Sequence, residues 1–410
     1  MNVSKKVNVY ESRGHLQIGE LTITDEGHRR YSVFDYADEW VASENAFPIC
    51  PEMELRGGPF FRSSNLPRDS IHQVFQDATP DSWGRKLLER AFSCKFSEHD
   101  FLLNAPSETC IGSLSFFENQ EHHETKFRGP VIPDLSDLDR LSKLIDRYLA
   151  EDSLKPVELT DLVNATATLG GARPKVNVLD NGTLWIAKFT SPNDKLPIER
   201  MEIATLKLAR LCGIDTPDAR LLENHGRSPI ALIKRFDRRD QNRVPYISAR
   251  TALGKEGRAQ GNYIEIAEFI RASCEDASHD LHQLFLRMVF SILVTNKDNH
   301  LKNHGFLHYG GNKWHLAPAF DINPVPELHA RLETPVSSIA TNNPLIIDAL
   351  DNCSYFELTE SKASALIKRT AHIIHAQWLE IANQVGITSS DARKYKPAID
   401  TIEMSTALTM

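Results

Sequence analysis

Apolar and polar residues alternate near the start of the chain, and this period of two predicts short β-strands joined by turns. Between residues 5 and 36, Val7 and Val9 and then the apolar positions of Leu16–Ile23 alternate with polar ones. Asp25–Gly27 is typical of a hairpin turn between two such strands. A further apolar run, Ile111–Phe117, predicts another strand.

Apolar residues with a helical period predict helices in several later segments. One helical region extends from about Asp69 to Phe101, where Pro80 and Asp81 suit the amino terminus of its second helix. Another helix is predicted for Glu199–Leu211. Apolar residues at positions 0, +3, +4, +7, +8, +11 and +12 of Leu281–Leu293 predict a buried helix that delivers the segment after it.

Length and charge restrict the class of protein. A chain of 410 residues suggests two or three domains, and its 41% apolar and 25% charged residues are those of a soluble globular protein. A net charge of −8 argues against a nucleic-acid-binding surface over the whole molecule. The six cysteines are scattered, the amino terminus lacks an apolar signal core, and Arg287 interrupts the longest apolar stretch. We therefore expect a cytoplasmic protein with reduced thiols and no membrane contact.

Two carboxylates and an amide suggest the chemistry. Asp298 precedes Asn303 by five residues, and Asp321 follows eighteen residues later. In phosphoryl transfer one Asp takes the proton of the attacking hydroxyl, while an Asn and a second Asp hold Mg²⁺ against the ATP phosphates. Asp and Asn are also common in turns, so the spacing alone is a weak signal. Its position after a buried helix strengthens the interpretation.

A glycine turn and a strand lysine precede that loop. In Thr166–Val176, Gly170 and Gly171 would let the backbone approach phosphate oxygens, and Arg173 and Lys175 add positive charge. An isolated glycine pair is nevertheless more often a simple hairpin. The motif gains weight only from the residues that follow it.

Lys188 and Glu202 complete the order of motifs. Lys188 lies on the same face of a predicted strand as Leu184 and Ile186, and Glu202 lies near the start of the next helix. Kinases use a strand lysine and a helix glutamate to hold the α- and β-phosphates. Either residue alone would be expected to reach solvent. The order of glycine turn, Lys, Glu, Asp, Asn and Asp favours phosphoryl transfer.

An apolar strand running into a basic connector, Ile230–Arg239, suggests a place for adenine. Backbone groups there would form hydrogen bonds with the base, and apolar side chains would stack on it. An ordinary core strand with a solvated end is the alternative.

The motifs together resemble the HipA-like serine/threonine kinases, toxins of bacterial type II toxin–antitoxin modules. The resemblance covers most of the chain, and Thr79–Arg85 and Cys110–Phe116 resemble the family's amino-terminal domain. It implies an α+β fold with a small amino-terminal α/β domain at residues 1–134. A bilobal kinase-like domain would follow, with an N-lobe-like region at 135–238 and a mainly helical lobe at 239–410.

The resemblance also implies roles for individual residues. Asp298 would be the general base, Asn303 and Asp321 the Mg²⁺ ligands, and Glu202 the partner of Lys188. The residues that would contact ATP are Gly170, Gly171, Ala172, Arg173, Pro174, Lys175, Lys188, Lys234, Arg235, Phe236, His300, Leu301, Lys302, Asn303, Phe320 and Asp321.

Family members phosphorylate a hydroxyl residue just before the glycine turn, which silences the kinase. Thr168 occupies that place, with Thr166 as the alternative. In the best-known members of the family the self-phosphorylated residue is Ser. Arg173-Pro174 replaces a Gln-Glu pair of the best-known member, and Lys234 stands where that member has a Glu. The implied protein substrate is an aminoacyl-tRNA synthetase. The implied regulator is a helix-turn-helix HipB-like antitoxin, through which the protein would reach operator DNA.

Three alternatives to a protein kinase remain open. His300, His304 and His308 have the spacing of a helical Zn²⁺ site, although Gly305 and the turn-like Tyr309–Asn312 argue against a helix. A catalytically weak member could act only as a binding module with an antitoxin. A kinase for a small molecule would need the same phosphoryl-transfer residues.

Overall fold

The computed structural model describes residues 3–11, 16–27, 29–105, 107–118, 132–166, 171–224, 227–239, 242–256, 260–311, 313–327, 332–339 and 342–410. These residues form both strands and helices, with strands grouped early in the chain and helices grouped late, which confirms the predicted α+β class.

Two compact units make up the fold, and neither is continuous in sequence. The first contains Met1–Ala187, Asp237–Arg258 and Leu307–Asn312, and the second contains Lys188–Phe236, Ala259–Phe306 and Lys313–Met410. The domain boundaries expected after residues 134 and 238 remain predictions.

The first unit is built on a five-stranded antiparallel sheet. Its strands are β1 Val3–Glu11, β2 Leu16–Asp25, β3 Arg30–Tyr36, β4 Phe60–Ser64 and β5 Leu114–Phe117. They lie in the order β4-β3-β2-β1-β5, and β1 pairs with β2 through Val7 opposite Leu21. Val7 and Val9 are fully buried, as their alternation predicts. Ile18 and Leu21 are also fully buried, but a register shift opposite Ile18 interrupts the alternation, and Leu16 is exposed.

Strand β5 is shorter than the apolar run Ile111–Phe117 predicted. Gly112 adopts a left-handed backbone with φ of +73°, and its N–H donates to Asp237 Oδ2 at 2.9 Å. Both features turn the backbone away from extended pairing, so the strand begins only at Leu114.

The remaining elements of the first unit are helices and short strands. The helices are α1 Asp38–Val41, α2 Gln73–Ala78, α3 Ser82–Phe92, α4 Glu98–Asn104, α5 Leu138–Leu149, α6 Pro156–Ala165 and α8 Ala249–Ala252, with 3-10 turns at Arg68–Ser70, Ser107–Thr109 and Leu135–Asp137. The strands are β6 Lys175–Asp180, β7 Thr183–Lys188, β10 Arg238–Arg239, β11 Asn242–Arg243 and β12 Tyr246–Ser248. The boundary between the units falls within β7, so that Lys188 belongs to the second unit.

The second unit is mainly helical. Its helices are α7 Ile198–Leu211, α9 Tyr263–Ser273, α10 Ala277–Leu293, α11 Leu345–Asp351, α12 Glu360–Gln384, α13 Ser389–Ile399 and α14 Ile402–Thr409, with 3-10 turns at Leu301–Asn303 and Cys353–Phe356. Its strands are β8 Ala219–Leu222, β9 Ile230–Lys234 and β14 His315–Leu316. Strand β13 Gly305–Leu307 is divided between the units, because Leu307 belongs to the first. Strands β8 and β9 pair antiparallel, with Ala219 opposite Ile233.

Helix α10 is the buried helix that the apolar stripe predicted. Leu281, Leu284, Phe285, Met288 and Val289 are all fully buried along it. The helix ends at Leu293, five residues before Asp298, so it does deliver the polar segment that follows. Among the described helices, none has the length and apolar character required to cross a bilayer.

Candidate active site

The ammonium of Lys188 lies between two carboxylates of the second unit. Its Nζ donates to Glu202 Oε1 at 2.6 Å and to Asp321 Oδ1 at 2.9 Å. Glu202 is carried by α7, and Asp321 follows Phe320 in a segment without regular secondary structure. The structure therefore brings together three of the predicted residues that are far apart in sequence.

Burial and charge act in opposite directions on these groups. Burial alone would lower the pKa of Lys188, but Asp321 and Glu202 outweigh it and raise that pKa above the ordinary value. Burial raises the pKa of Glu202, and the positive charge of Lys188 opposes this shift. Lys188 is therefore a permanent cation at neutral pH, held in one position by two partners.

Asp298 and Asn303 lie on the loop that follows α10. Asn303 ends the 3-10 turn Leu301–Asn303, and its Nδ2 donates to the backbone carbonyl of Asp298 at 2.9 Å. This bond fixes the distance between the two residues. Because it uses the amide nitrogen of Asn303, the amide oxygen is the atom left to bind a cation.

Asp298 lies at the protein surface, and its surroundings change the pKa of its carboxyl group. Partial burial raises its pKa, His300 opposes that shift, and the negative charges of Asp321 and Glu333 raise it further. The net pKa lies above the usual value of an aspartate. A raised pKa makes this carboxylate a better proton acceptor.

Strained backbone occurs at the start of the loop and at Asp321. Thr295 has φ of +52° and Asp321 has φ of +56°, in the left-handed region that is rare for a β-branched residue and uncommon for Asp. Such strain persists only where neighbouring contacts compensate for it. The Oγ1 of Thr295 donates to the carbonyl of Ala398 at 2.8 Å, and the Nδ2 of Asn323 donates to Asp321 Oδ1 at 3.2 Å.

The predicted adenine connector joins the Asp321 segment through an aromatic contact. Lys234 ends β9, Arg235 is buried, and the half-buried ring of Phe236 lies 5.2 Å from that of Phe320. Phe320 directly precedes Asp321, so the contact between these two tilted rings links the connector to one proposed metal ligand.

Histidines around the loop do not form the alternative Zn²⁺ site. The segment is a 3-10 turn followed by strand β13 rather than a helix, and His304 packs against Tyr263 at 5.3 Å between ring centres. Burial lowers the pKa of His304 to about 3. His308 belongs to the first unit, where its ring stacks on Phe47. No group of three or more His, Cys, Asp or Glu side chains suited to a metal occurs in the described part of the chain.

The glycine turn lies in the first unit, and part of it is outside the described residues. Thr168 and Gly170 both lie outside the described residues. Gly171 and Ala172 are exposed, Arg173 is half-buried and Pro174 is buried. Lys175 is also buried, and its Nζ contacts Asp81 Oδ2 at 2.8 Å. Its proposed contact with ATP remains a prediction.

Three further positions at or near the site were not anticipated from the sequence. Asn323 contacts Asp321, and its Oδ1 is buried without a hydrogen-bond partner among the described residues. Asn299 donates to the hydroxyl of Tyr263 and so fixes the residue next to Asp298. Thr295 closes the start of the loop. Asn and Thr in loops carry no distinctive spacing, and only the tertiary contacts identify them.

The fold that holds these residues is kinase-like. The HipA-like C-terminal domain matches residues 167–378 and the HipA N-terminal domain matches residues 10–117. The chain belongs to the HipA family. The family that the sequence resembles is thereby confirmed.

A solved structure with the same fold contains HipA of Shewanella oneidensis MR-1, from a complex of toxin, HipB and operator DNA. It covers 98% of this chain and 96% of that chain, with a TM-score of 0.64 and 16% sequence identity. At this identity the likeness establishes the fold alone.

Relatives in two bacteria carry the name of a kinase. "Putative kinase Y4mE" of Sinorhizobium fredii is 25% identical over 313 residues, which are 70% of this chain and 71% of that protein. A "Putative kinase" of Haemophilus influenzae is 27% identical over 155 residues, 34% of this chain and 45% of that protein. The chain thus aligns with less than half the length of the Haemophilus protein.

Proposed function

We propose that this protein is an ATP-dependent serine/threonine protein kinase. The observation that carries the proposal is the position of Lys188 between Glu202 and Asp321, in the unit that also holds Asp298 and Asn303. A lysine held by a helix glutamate, with separate base and metal-binding groups, is the residue set that phosphoryl transfer requires.

The donor set suits ATP and Mg²⁺. Asp321 and the amide oxygen of Asn303 are oxygen ligands of the type that Mg²⁺ prefers. The buried Oδ1 of Asn323, two residues after Asp321, has no hydrogen-bond partner among the described residues. Lys188 supplies the positive charge for phosphate oxygens. When bound, ATP would provide the phosphoryl group and Mg²⁺ would neutralise the charge that develops on it.

The protein's own groups would position and deprotonate the acceptor. Asp298 would accept the proton of a Ser or Thr hydroxyl, and its raised pKa favours that transfer. Asn303 would hold the backbone of Asp298 in place through its Nδ2. Most of the rate enhancement would come from this positioning and from charge complementarity.

Transfer of label from γ-labelled ATP to protein tests the proposal. We expect the wild type to label a protein hydroxyl in the presence of Mg²⁺, and Asp321→Asn to lose the activity. Asp351→Asn, a change at an exposed helix residue, is the matched control and should retain it. Label recovered in a free small molecule would indicate the small-molecule kinase, and no labelling at all would favour the binding module.

We further propose that regulation follows the family pattern. Of the two threonines near the glycine turn, Thr166 is buried and its Oγ1 donates to the carbonyl of Leu162 at 2.7 Å. A hydroxyl committed to that bond is a poor acceptor of phosphate, which supports Thr168 as the site of self-phosphorylation. The added charge would oppose ATP binding at the turn.

From the resemblance we propose that the substrate is an aminoacyl-tRNA synthetase. We also propose that the protein acts in the cytoplasm. The Shewanella HipA structure is a complex with HipB and operator DNA. By analogy we propose a small helix-turn-helix antitoxin as the partner of this chain, with DNA contacted through that antitoxin. Co-purification of such a protein with the tagged chain from its native cells tests this proposal.

A further inference from the structure

The amino terminus of helix α3 contacts the residues on both sides of segment 167–174. Asp81 is the N-cap of the helix: its Oδ1 accepts from Gly84 N at 2.9 Å, and its Oδ2 pairs with Lys175 Nζ at 2.8 Å. The indole N–H of Trp83 donates to the carbonyl of Lys175 at 3.0 Å. One turn of helix therefore holds both the charge and the backbone of Lys175.

The same turn approaches the other side of the segment. A Cβ on Gly84 would lie 2.9 Å from Thr166 Cγ2, a distance that leaves no space for a side chain. Thr166 and Val176 form an antiparallel bridge, and Asn177 Nδ2 donates to the carbonyl of Thr166 at 3.1 Å. The two ends of the segment are thus fixed to one another and to α3.

The ammonium of Lys175 lies close to the backbone of Gly171, in the described part of the glycine turn. Gly171 has φ of +109°, and a Cβ built on it would be 3.3 Å from Lys175 Nζ. The side chains of Lys175 and Asp81 are only 2% and 5% exposed, whereas Gly171 is exposed. A buried ion pair needs both partners, because removal of one leaves an uncompensated charge. The pair therefore holds the ammonium of Lys175 in one position, next to the backbone of Gly171.

We propose that Asp81 and Trp83 are positioning residues that set the affinity of the glycine turn for ATP. In this account Lys175 supports the turn from below, and its ammonium is not a phosphate ligand. The inference rests on the proposed kinase function for its ligand. The contacts themselves lie entirely within the first unit.

Two conservative variants test the inference in the full-length protein. Asp81→Asn keeps an equally good helix cap but removes the charge partner of Lys175, and Trp83→Phe keeps the ring and removes the indole N–H. Glu98→Gln is the matched control. Glu98, in α4, forms a two-bond ion pair with Arg85 of α3, with N–O distances of 2.7 and 2.8 Å. The two readouts are hydrogen exchange of amides 171–178 and the separate KM and kcat for ATP.

We expect amide exchange in 171–178 to rise about tenfold in Asp81→Asn and Trp83→Phe, as loss of one strong hydrogen bond implies. KM for ATP should rise by a similar factor, with kcat at saturating ATP retained. Glu98→Gln should change neither quantity.

Exchange that is unchanged, or that rises equally in Glu98→Gln, would overturn the inference. An unchanged KM for ATP would overturn it even where exchange rises. Faster exchange in a protein whose wild type binds no ATP would overturn the proposed kinase function, while the positioning of the turn by α3 would stand.

Discussion

At the residue scale, Lys188 is the group on which the site depends. Its ammonium compensates two carboxylates, one of which, Glu202, is almost fully buried. The raised pKa of Lys188 means that this stabilisation is fully present below the pKa of an ordinary lysine. It is lost only as the pH rises through the higher folded-state value.

Lys188→Met should lower both stability and activity. Removing one partner of a buried ion pair leaves Glu202 uncompensated, and such changes cost about 3 kcal/mol of unfolding free energy. Phosphoryl transfer should be lost as well. Urea unfolding measures the first effect, with Lys207→Met, a change at an exposed position of α7, expected to stay within about 0.5 kcal/mol. Equal stability of the two variants would contradict the importance of the pair.

Asp298 should give the activity an acidic limit above the usual range of an aspartate. The base acts only when deprotonated, so kcat should fall as the pH drops through its raised pKa. Glu333→Gln removes one of the charges that raise this pKa and should move the limit to lower pH. Glu327→Gln, which loses a contact with Lys297 instead, is the control for the pH–rate profile. A limit that moves equally in both variants would argue against Asp298 as the titrating base.

At the element scale, the loop that carries Asp298 is held by parts of the chain far from it. Thr295 at the start of the loop bonds to Ala398 at the end of α13. Asn296 Oδ1 accepts from Asn323 N at 3.2 Å, and Lys297 O accepts from Glu333 N at 3.1 Å. The loop therefore keeps its strained backbone only while α13 and the segments that carry Asn323 and Glu333 are folded around it.

Thr295→Val should weaken this anchoring. The substitution keeps the shape and leaves the carbonyl of Ala398 without its donor, at a cost of about 1–3 kcal/mol. Thr370→Val is the control, because the Oγ1 of Thr370 bonds only to Leu366 O, one turn earlier in α12. Thermal unfolding should separate the two variants, and kcat should fall only in Thr295→Val. Identical behaviour would show that the Ala398 contact is not specific.

The sequence predicts local elements better than the contacts between them. The period of α10 and the alternation of β1 and β2 are local, and both elements form as predicted. Asp81 was expected inside the first turn of a helix and is its N-cap, since its carboxylate accepts from Gly84 N. Its ion pair with Lys175 joins residues 94 positions apart, a pairing that no local pattern specifies.

At the scale of the whole molecule, both units combine segments that are distant in sequence. The Lys188–Asp321 bond spans 133 residues, yet the order of motifs still indicated the correct family. Spacing suggested the candidate groups, because phosphoryl transfer requires particular residue types. It could not reveal which partner each group has, since partners depend on the tertiary fold.

Binding of ATP and Mg²⁺ should stabilise the whole protein. A ligand at one hundred times its dissociation constant adds about 2.7 kcal/mol to the unfolding free energy. Asp298→Asn should keep this stabilisation, because Asp298 is assigned as base, whereas Asp321→Asn should lose most of it. A thermal shift assay with and without Mg²⁺ measures both. Loss of the shift in Asp298→Asn alone would reverse the two roles.

The intact mass of the phosphatase-treated protein, before and after ATP and Mg²⁺, tests phosphoryl transfer most directly. We expect the wild type to gain phosphate that maps to Thr168, and Asp298→Asn to gain none while remaining folded. A wild type that stays unmodified, or an Asp298→Asn variant that gains phosphate at the same rate, would contradict the assignment of this site as a kinase centre with Asp298 as its base.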